Sequence, residues 1–456
     1  MNTKPHADNL HRLVKYALDS GEAKTLDEAE SLFQGYRLAL TINGDEARKS
    51  INQTALLTAV ALGRRVFLGG VYVEGDLDVP LKVPLPLRCR LHEAVTDLGG
   101  LLAPPDAGMP TIAIGGGPLS RRTGFHIRTA AAGWRGGILP AYSKLMPVPG
   151  PTIPLAAMLS AGLAVNEAFL FVEGGSPAAG RRPIGLSLWQ PSTGINWLKP
   201  DSSESQITHL PSRLWLIGLG HLGQAYLWGL GLLPYKDPSG LSLVLQDIDE
   251  ITPSTESTSI LSDTAMAGQK KTRAMATWAE RRGFATALQE RRFDDNFHRQ
   301  DDEPAIALCG LDNVLGRQVL DQVGFDLIVE AGLGRGQQNF RTIHLHTLPG
   351  VRSAKEIWKS ATSSETTEDR PAYQEMLKNR ELDRCGVTLL AGKAVGAPFV
   401  GTVAATLVLS QVLRLLHGEP LYQLIDLDLL SVEHRLAVPN PKSFQSLNPG
   451  YTTALC

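Results

Sequence analysis

Apolar and polar positions divide the chain at one place. Lys199-Pro-Asp-Ser-Ser-Glu-Ser-Gln206 is polar apart from its proline and precedes a strong strand, so it reads as an interdomain linker. That gives a first unit over residues 1–205 and a second over 206–456. In the second, strands are predicted at Arg213–Gly218, Leu241–Asp247, Ala305–Cys309 and Asp326–Ala331. Helices are predicted between them, at His221–Leu233, Lys271–Arg282 and Val314–Val323. Strands alternating with helices at this spacing predict α/β architecture with a parallel, doubly wound sheet.

The first half is less regular. Ala55–Ala61 reads as helix, and Arg65–Tyr72 and Thr111–Ile114 as strands. Both halves nevertheless close the same way. A small-residue helix from Pro154 precedes a strand from Pro183 to Trp189, and a matching helix from Pro398 precedes a strand from Leu421 to Leu427. Such mirrored pieces predict two copies of one Rossmann-like fold, of which only the second keeps a nucleotide site.

Composition narrows the class. A chain of 456 residues exceeds what one core usually supports, while 43% hydrophobic and 20% charged residues fit an ordinary globular protein. A net charge of −2 suggests no general affinity for nucleic acid or an anionic membrane. The polar N-terminus lacks the apolar core of a signal peptide. Val395–Leu416 is long enough to raise the question of a membrane span. It contains Thr402, Thr406, Ser410, Gln411 and Arg414, and no second span is read elsewhere, so a buried helix is expected. Cys89, Cys309, Cys385 and Cys456 form no C-x-x-C pair, which argues against a disulfide framework or structural zinc and fits a reducing cytoplasm.

The chemistry concentrates in the second half. Gly218-Leu-Gly-His-Leu-Gly223 follows one predicted strand and opens a helix. Gly218, Gly220 and Gly223 permit a tight turn and close approach of backbone to ligand, and the helix N-terminus offers N–H groups to phosphate. Asp247, after the next strand, is placed to meet ribose hydroxyls, with Asp249 beside it. A dehydrogenase would share these features. It would not need a lysine and an acidic group beside the phosphates, whereas a carboxylate attacking an α-phosphate does, because two anions must meet. Lys271, in Gly268-Gln-Lys-Lys, and Asp312, in Gly-Leu-Asp-Asn-Val-Leu-Gly-Arg317, supply such groups.

In this order, the Gly-x-Gly-x-x-Gly turn, Asp-x-Asp, Gly-x-x-Lys and Asp-Asn with a following Arg resemble the adenylation fold shared by ThiF, MoeB and the ubiquitin-activating enzymes. The resemblance covers Ser212 to about Gly334 well and continues more loosely to about Leu429. It implies Mg-ATP-dependent adenylation of the C-terminal glycine of a ubiquitin-like or sulfur-carrier protein. By position it assigns the phosphate loop to Gly218, Gly220 and Gly223, the ribose to Asp247, the phosphates to Lys271 and magnesium to Asp312. The pairing of an inactive with an active unit resembles the activating component of bacterial antiphage ubiquitin-like conjugation operons, whose partners would be a ubiquitin-like protein and a conjugating enzyme.

One departure stands out. The family usually carries Ser-Asn-Leu-x-Arg-Gln after Asp-x-Asp, and here the stretch is Ser254-Thr-Glu-Ser-Thr-Ser259, without the arginine. Either Ser254, Thr255 and Ser257 contact phosphate, or a cation comes from elsewhere: locally Lys270 or Arg273, or Arg48 reaching across from the first half. A third reading is a domain that binds nucleotide but turns over poorly.

Cys385, beside Arg384 in the expected crossover at about 350–395, is the candidate thioester nucleophile, and a small hydrophobe packed near Val387 and Leu389 is its alternative. Cys309 reads as structural. His344 and His346 alternate on one strand without visible further ligands and read as a solvated face. Trp134 is either an anchor within the first half or a contact surface. Two rival functions stay open: an NAD-dependent oxidoreductase, and a non-catalytic partner that keeps the fold for binding only.

Overall fold

The computed structural model describes residues 8–121, 123–359, 370–378 and 384–455. The chain opens with two short helices, α1 (Val14–Ser20) and α2 (Leu26–Gln34), the latter capped by the Thr25 side chain, which accepts from Glu28 N–H. β1 (Leu38–Ile42) runs into α3 (Gly44–Ala47) and α4 (Ser50–Gly63), then β2 (Val71–Gly75) and α5 (Leu91–Asp97). β3 (Thr111–Ala113), β4 (His126–Ala132), β5 (Arg135–Pro140), α6 (Pro154–Val172) and β6 (Ile184–Ser187) complete the first half. The strand expected at Arg65–Tyr72 starts only at Val71. Residues 64–69 turn instead, because Arg65 buries its guanidinium against the carbonyls of Ala61, Glu256 and Ser262.

The second half follows its predicted alternation closely. β7 (His209–Pro211) and β8 (Arg213–Ile217) lead into α7 (His221–Leu232), β9 (Ser242–Gln246), α8 (Pro253–Glu256), α9 (Lys271–Arg281) and β10 (Ala285–Gln289). Next come β11 (Ile306–Cys309), α10 (Val314–Gln318), β12 (Leu327–Leu333), α11 (Gly336–Asn339) and β13 (Thr342–Leu348). Then come α12 (Ala354–Ile357), α13 (Pro371–Lys378), α14 (Arg384–Gly392) and α15 (Pro398–Leu416). β14 (Tyr422–Asp428), β15 (Leu436–Pro439) and β16 (Tyr451–Thr453) end the chain.

The two sheets repeat one plan. The first has the order β2-β1-β3-β4-β5-β6, the second β10-β9-β8-β11-β12-β13-β14-β15. In each, a parallel block is followed by antiparallel strands: β5 and β6 in the first, β13, β14 and β15 in the second. Removing the outer strands β10 and β15 from the second leaves β9-β8-β11-β12-β13-β14, in register with the first element by element. The chain is therefore α/β with two Rossmann-like copies.

Helices α4, α6, α7 and α15 fill the space between the sheets and share one apolar core. α6 and α15 each have 19 residues and begin with Pro at the first turn, where its missing N–H costs nothing. Among the described residues both are long and apolar enough to cross a membrane, and both are 89% buried inside the protein. The expected single stretch thus has a twin, and both are core helices, apolar on every side because every side is packed. Small residues let them close up: a Cβ on Gly162 would lie 2.9 Å from Val403, and one on Gly229 2.4 Å from Leu409. A buried hydrogen bond from Trp228 Nε1 to Thr58 Oγ1, 3.1 Å, crosses the same layer.

The polar stretch before β7 is fastened rather than free. Glu204 lies 3.3 Å from the buried Arg135 and accepts the N–H of Trp134, whose Nε1 donates to the Ser205 carbonyl at 2.7 Å. Trp134 is 1% exposed and packs edge-on against Trp189. It is an anchor within the first half.

Candidate active site

β8 is followed by Gly218, which adopts φ +84 and so needs a residue without a side-chain penalty there. Each glycine of the turn has its own constraint. A Cβ on Gly218 would meet Gly310 at 3.1 Å, and one on Gly223 would meet Gly218 O at 2.0 Å. Gly220, the residue before α7, would meet nothing within 4 Å. The first and last close the backbone upon itself, and the middle one faces open room at a helix N-terminus, where a ligand phosphate fits.

Asp247 follows β9 and reaches back into this turn. Its Oδ2 accepts Leu219 N–H at 2.7 Å, and its Oδ1 accepts Asp249 N–H at 2.8 Å. Lys271 opens α9 with Nζ 2.9 Å from Asp249 and 3.9 Å from Asp247. One of its three donors is used within hydrogen-bond distance, which leaves charge and donors for a phosphate.

Asp312 lies just beyond β11, the strand beside β8, and is exposed. Asn313 caps α10 by accepting Gly316 N–H at 2.6 Å. Among the described residues no group of three or more His, Cys, Asp or Glu side chains is placed to hold a metal ion. An exposed carboxylate at the C-terminal end of the strand beside β8 nonetheless suits Mg²⁺, which usually takes one or two carboxylates and completes its shell with water and nucleotide phosphates. The donor set therefore fits magnesium arriving with ATP.

One further arginine, which the sequence did not single out, lies near the stretch that lacks the family arginine. The N-terminal segment runs across the Ser254–Ser257 stretch: Ser254 N–H donates to Asp8 O at 2.7 Å, and Arg12 N–H donates to Ser257 Oγ at 3.1 Å. The Arg12 side chain donates to Ala394 O at 3.3 Å. Burial lowers the Arg12 pKa from its ordinary value, and Asp312 and Asp8 oppose that shift. No sequence signal marks Arg12, because its position depends on a contact 245 residues away.

The other sources are otherwise engaged. Arg48 stays with its own half, half-exposed and 3.7 Å from Asp76 at the end of β2. Lys270 binds Ile248 O and Glu250, and Arg273 pairs with Glu290 at 3.0 Å. Ser254 and Ser257 are buried, and their hydroxyls, with those of Thr252 and Thr255, cap α8 and hold the N-terminal segment. The Ser257 hydroxyl accepts the Arg12 N–H and so holds the N-terminal segment against α8.

In the first half the corresponding place is filled from within. Asn43 after β1 caps α3, and the Glu46 carboxylate accepts from Asn52 Nδ2 and from Lys49 Nζ. A carboxylate at this turn opposes phosphate.

The crossover holds α12, α13 and α14. Cys385 is the second residue of α14, and its side chain lies outside the described residues, as does Cys456. Cys309 is buried, and burial pushes its thiol up to about 12, so it is structural. Cys89 is exposed and free. His344 pairs with Asp426 at 2.7 Å on a half-exposed face, whereas His346 turns to a buried carboxylate, Glu330, at 2.8 Å.

Two Rossmann-like halves, one with a glycine turn bonded by Asp247 and Lys271 beside it, place the chain among E1-like proteins. Comparison with known proteins agrees. The BilD N-terminal domain model matches residues 37–188 and the BilD C-terminal domain model residues 210–419. The chain is 45% identical over 431 residues to the bacterial E1-like protein BilD of Collimonas sp. (strain OK412), covering 93% of this chain and 92% of that one. It belongs to the BilD family. Among solved structures it is similar to E. coli MccB bound to ATP, at 13% identity and a TM-score of 0.34, with 51% of this chain and 65% of MccB covered. MccB with MccA-N7isoASN gives 13% and 0.35 over the same shares.

Proposed function

We propose that the second half adenylates the C-terminal carboxylate of a ubiquitin-like protein with Mg-ATP. The observation that carries this reading is the glycine turn bonded by Asp247 at 2.7 Å, with Lys271 2.9 Å from Asp249 and 3.9 Å from Asp247. A dehydrogenase has no use for converging cation and carboxylate beside the pyrophosphate. An adenylating site needs both, because the attacking and attacked groups are anions.

In this reading the triphosphate lies over Gly220 and the α7 N-terminus, and Asp247 and Asp249 face the ribose. Lys271 turns from Asp249 to the phosphates, and Arg12 offsets charge that builds up as the carboxylate oxygen bonds to the α-phosphorus. The bond from that phosphorus to the bridging oxygen breaks, and pyrophosphate leaves with the electron pair. Magnesium, held by Asp312, would neutralise the departing charge.

The Cys385 thiolate then attacks the acyl carbonyl and expels AMP, leaving a thioester for a conjugating enzyme to collect. A cytoplasmic setting in antiphage conjugation, without membrane or nucleic-acid partners, completes the proposal. The first half, its own turn closed by Glu46, acts as the inactive copy and supplies Arg12.

ATP–pyrophosphate exchange stimulated by a ubiquitin-like carrier tests the first step, and hydride transfer from NADH in its place would overturn it. A thiol-sensitive adduct on a gel, lost in Cys385→Ala, tests the second.

A further inference from the structure

Asp312 is exposed, but the backbone that carries it is clamped. Arg317 on α10 donates to the Leu311 carbonyl through Nε at 2.7 Å and also through Nη2. Arg335, beside α11, donates to the next carbonyl, that of Asp312, at 2.6 Å. Two arginines from different elements thus fix consecutive peptide units.

Arg317 is itself held on every side. Its guanidinium lies 4.2 Å above the Trp358 ring, and Nη2 also donates to Ala331 O at 3.1 Å. Its Nη1 is 3.7 Å from Glu330 Oε2. Glu330 is fully buried in β12, and its Oε1 accepts from His346 Nδ1 at 2.8 Å and Trp358 Nε1 at 3.0 Å. Its neighbours Ile328, Cys309 and Ala307 belong to an apolar cluster. Packing alone does not call for a charge here, and a buried carboxylate costs several kcal/mol before its partners compensate. What the charge does is turn the Arg317 fork toward Leu311.

We infer that Glu330, through Arg317, and Arg335 are positioning residues that aim the Asp312 carboxylate at the divalent cation. The inference rests on the reading of Asp312 as the metal carboxylate. Residues that orient a metal ligand change metal affinity without touching the metal, typically by about 10- to 100-fold.

The test is Mn²⁺ binding to the full-length protein with a non-hydrolysable ATP analogue, followed by electron paramagnetic resonance, alongside the Mg²⁺ dependence of pyrophosphate exchange. Glu330→Gln and Arg335→Gln are expected to weaken Mn²⁺ by about 10- to 100-fold. Metal-free binding of the analogue should be unchanged, and excess Mg²⁺ should restore exchange. Arg317→Lys keeps the charge but loses the fork, and should behave like Glu330→Gln. If Glu330→Gln does not fold, Arg335→Gln, at an exposed bond, carries the test. Wild-type Mn²⁺ affinity in folded variants overturns the inference while Asp312→Asn still abolishes binding. Should Asp312→Asn also bind normally, the metal reading falls, and the inference with it.

Discussion

The Tyr373 hydroxyl donates to Asp19 Oδ1 at 2.6 Å, joining α13 of the crossover to α1 at the start of the chain. Asp19 is a hub: Lys15 Nζ lies 2.6 Å away with both side chains nearly inaccessible, and Arg370 lies at 3.4 Å. The helix that follows Arg12 is thus bolted to the segment that carries Cys385.

Removing the hub leaves Lys15 buried and unpaired. Asp19→Ala is expected to cost about 3–5 kcal/mol in chemical denaturation. Tyr373→Phe should cost only about 1–3 kcal/mol, the penalty of an acceptor that loses one bond. Equal losses in the two variants would contradict the hub.

Arg12 and Arg48 separate two views of the site. Arg12→Ala should lower pyrophosphate exchange by about 100- to 1,000-fold, as when a positioned donor is removed from a developing negative charge. Arg48→Ala, which removes a half-exposed pair with Asp76, should leave exchange near wild type. The reverse ranking would return the role to Arg48.

The glycines of the turn divide by purpose. Gly223→Ala forces a Cβ to within 2.0 Å of Gly218 O and should destabilise the fold by about 1–3 kcal/mol. Gly220 has φ −85 and free space, so Gly220→Ala should keep its melting temperature and lose ATP affinity. Retained affinity, read by titration calorimetry, would place the phosphates elsewhere.

Acid should weaken the fold through two histidines. Burial lowers His221, at the α7 N-terminus, and His11 to about 4. Below the unfolded value of about 6.5 the unfolded chain takes up protons that the native protein refuses. Stability is therefore complete above pH 6.5 and falls toward pH 4, by at most about 1.4 kcal/mol per pH unit for each histidine. His344 is shifted upward by its bond to Asp426 and opposes this weakly, being half-exposed. His221→Gln should flatten the slope in that window, and an unchanged slope would remove His221 from the account.

The second half was legible because its apolar runs have strand length and its glycines fall between a strand and a helix. Gly218, Asp247 and Lys271 stand where local pattern put them, since each ends or opens an element. The first half was harder. Arg65, a polar residue at a predicted strand start, turned out to be a buried brace reaching Glu256 and Ser262. Arg12 escaped because its contact lies 245 residues away, and Glu330 because its partners sit on neighbouring elements at spacings that match no helix or strand period. The contacts of Ser254 and Ser257 with Asp8 and Arg12 were not legible, because a sequence does not show that the N-terminal segment lies over them.

α6 and α15 are greasy rods whose every side meets protein, and each half contributes one. A fragment cut between the sheets would turn such a rod toward water, so each half is the other's shelter, and neither sheet is expected to stand as a folded piece by itself.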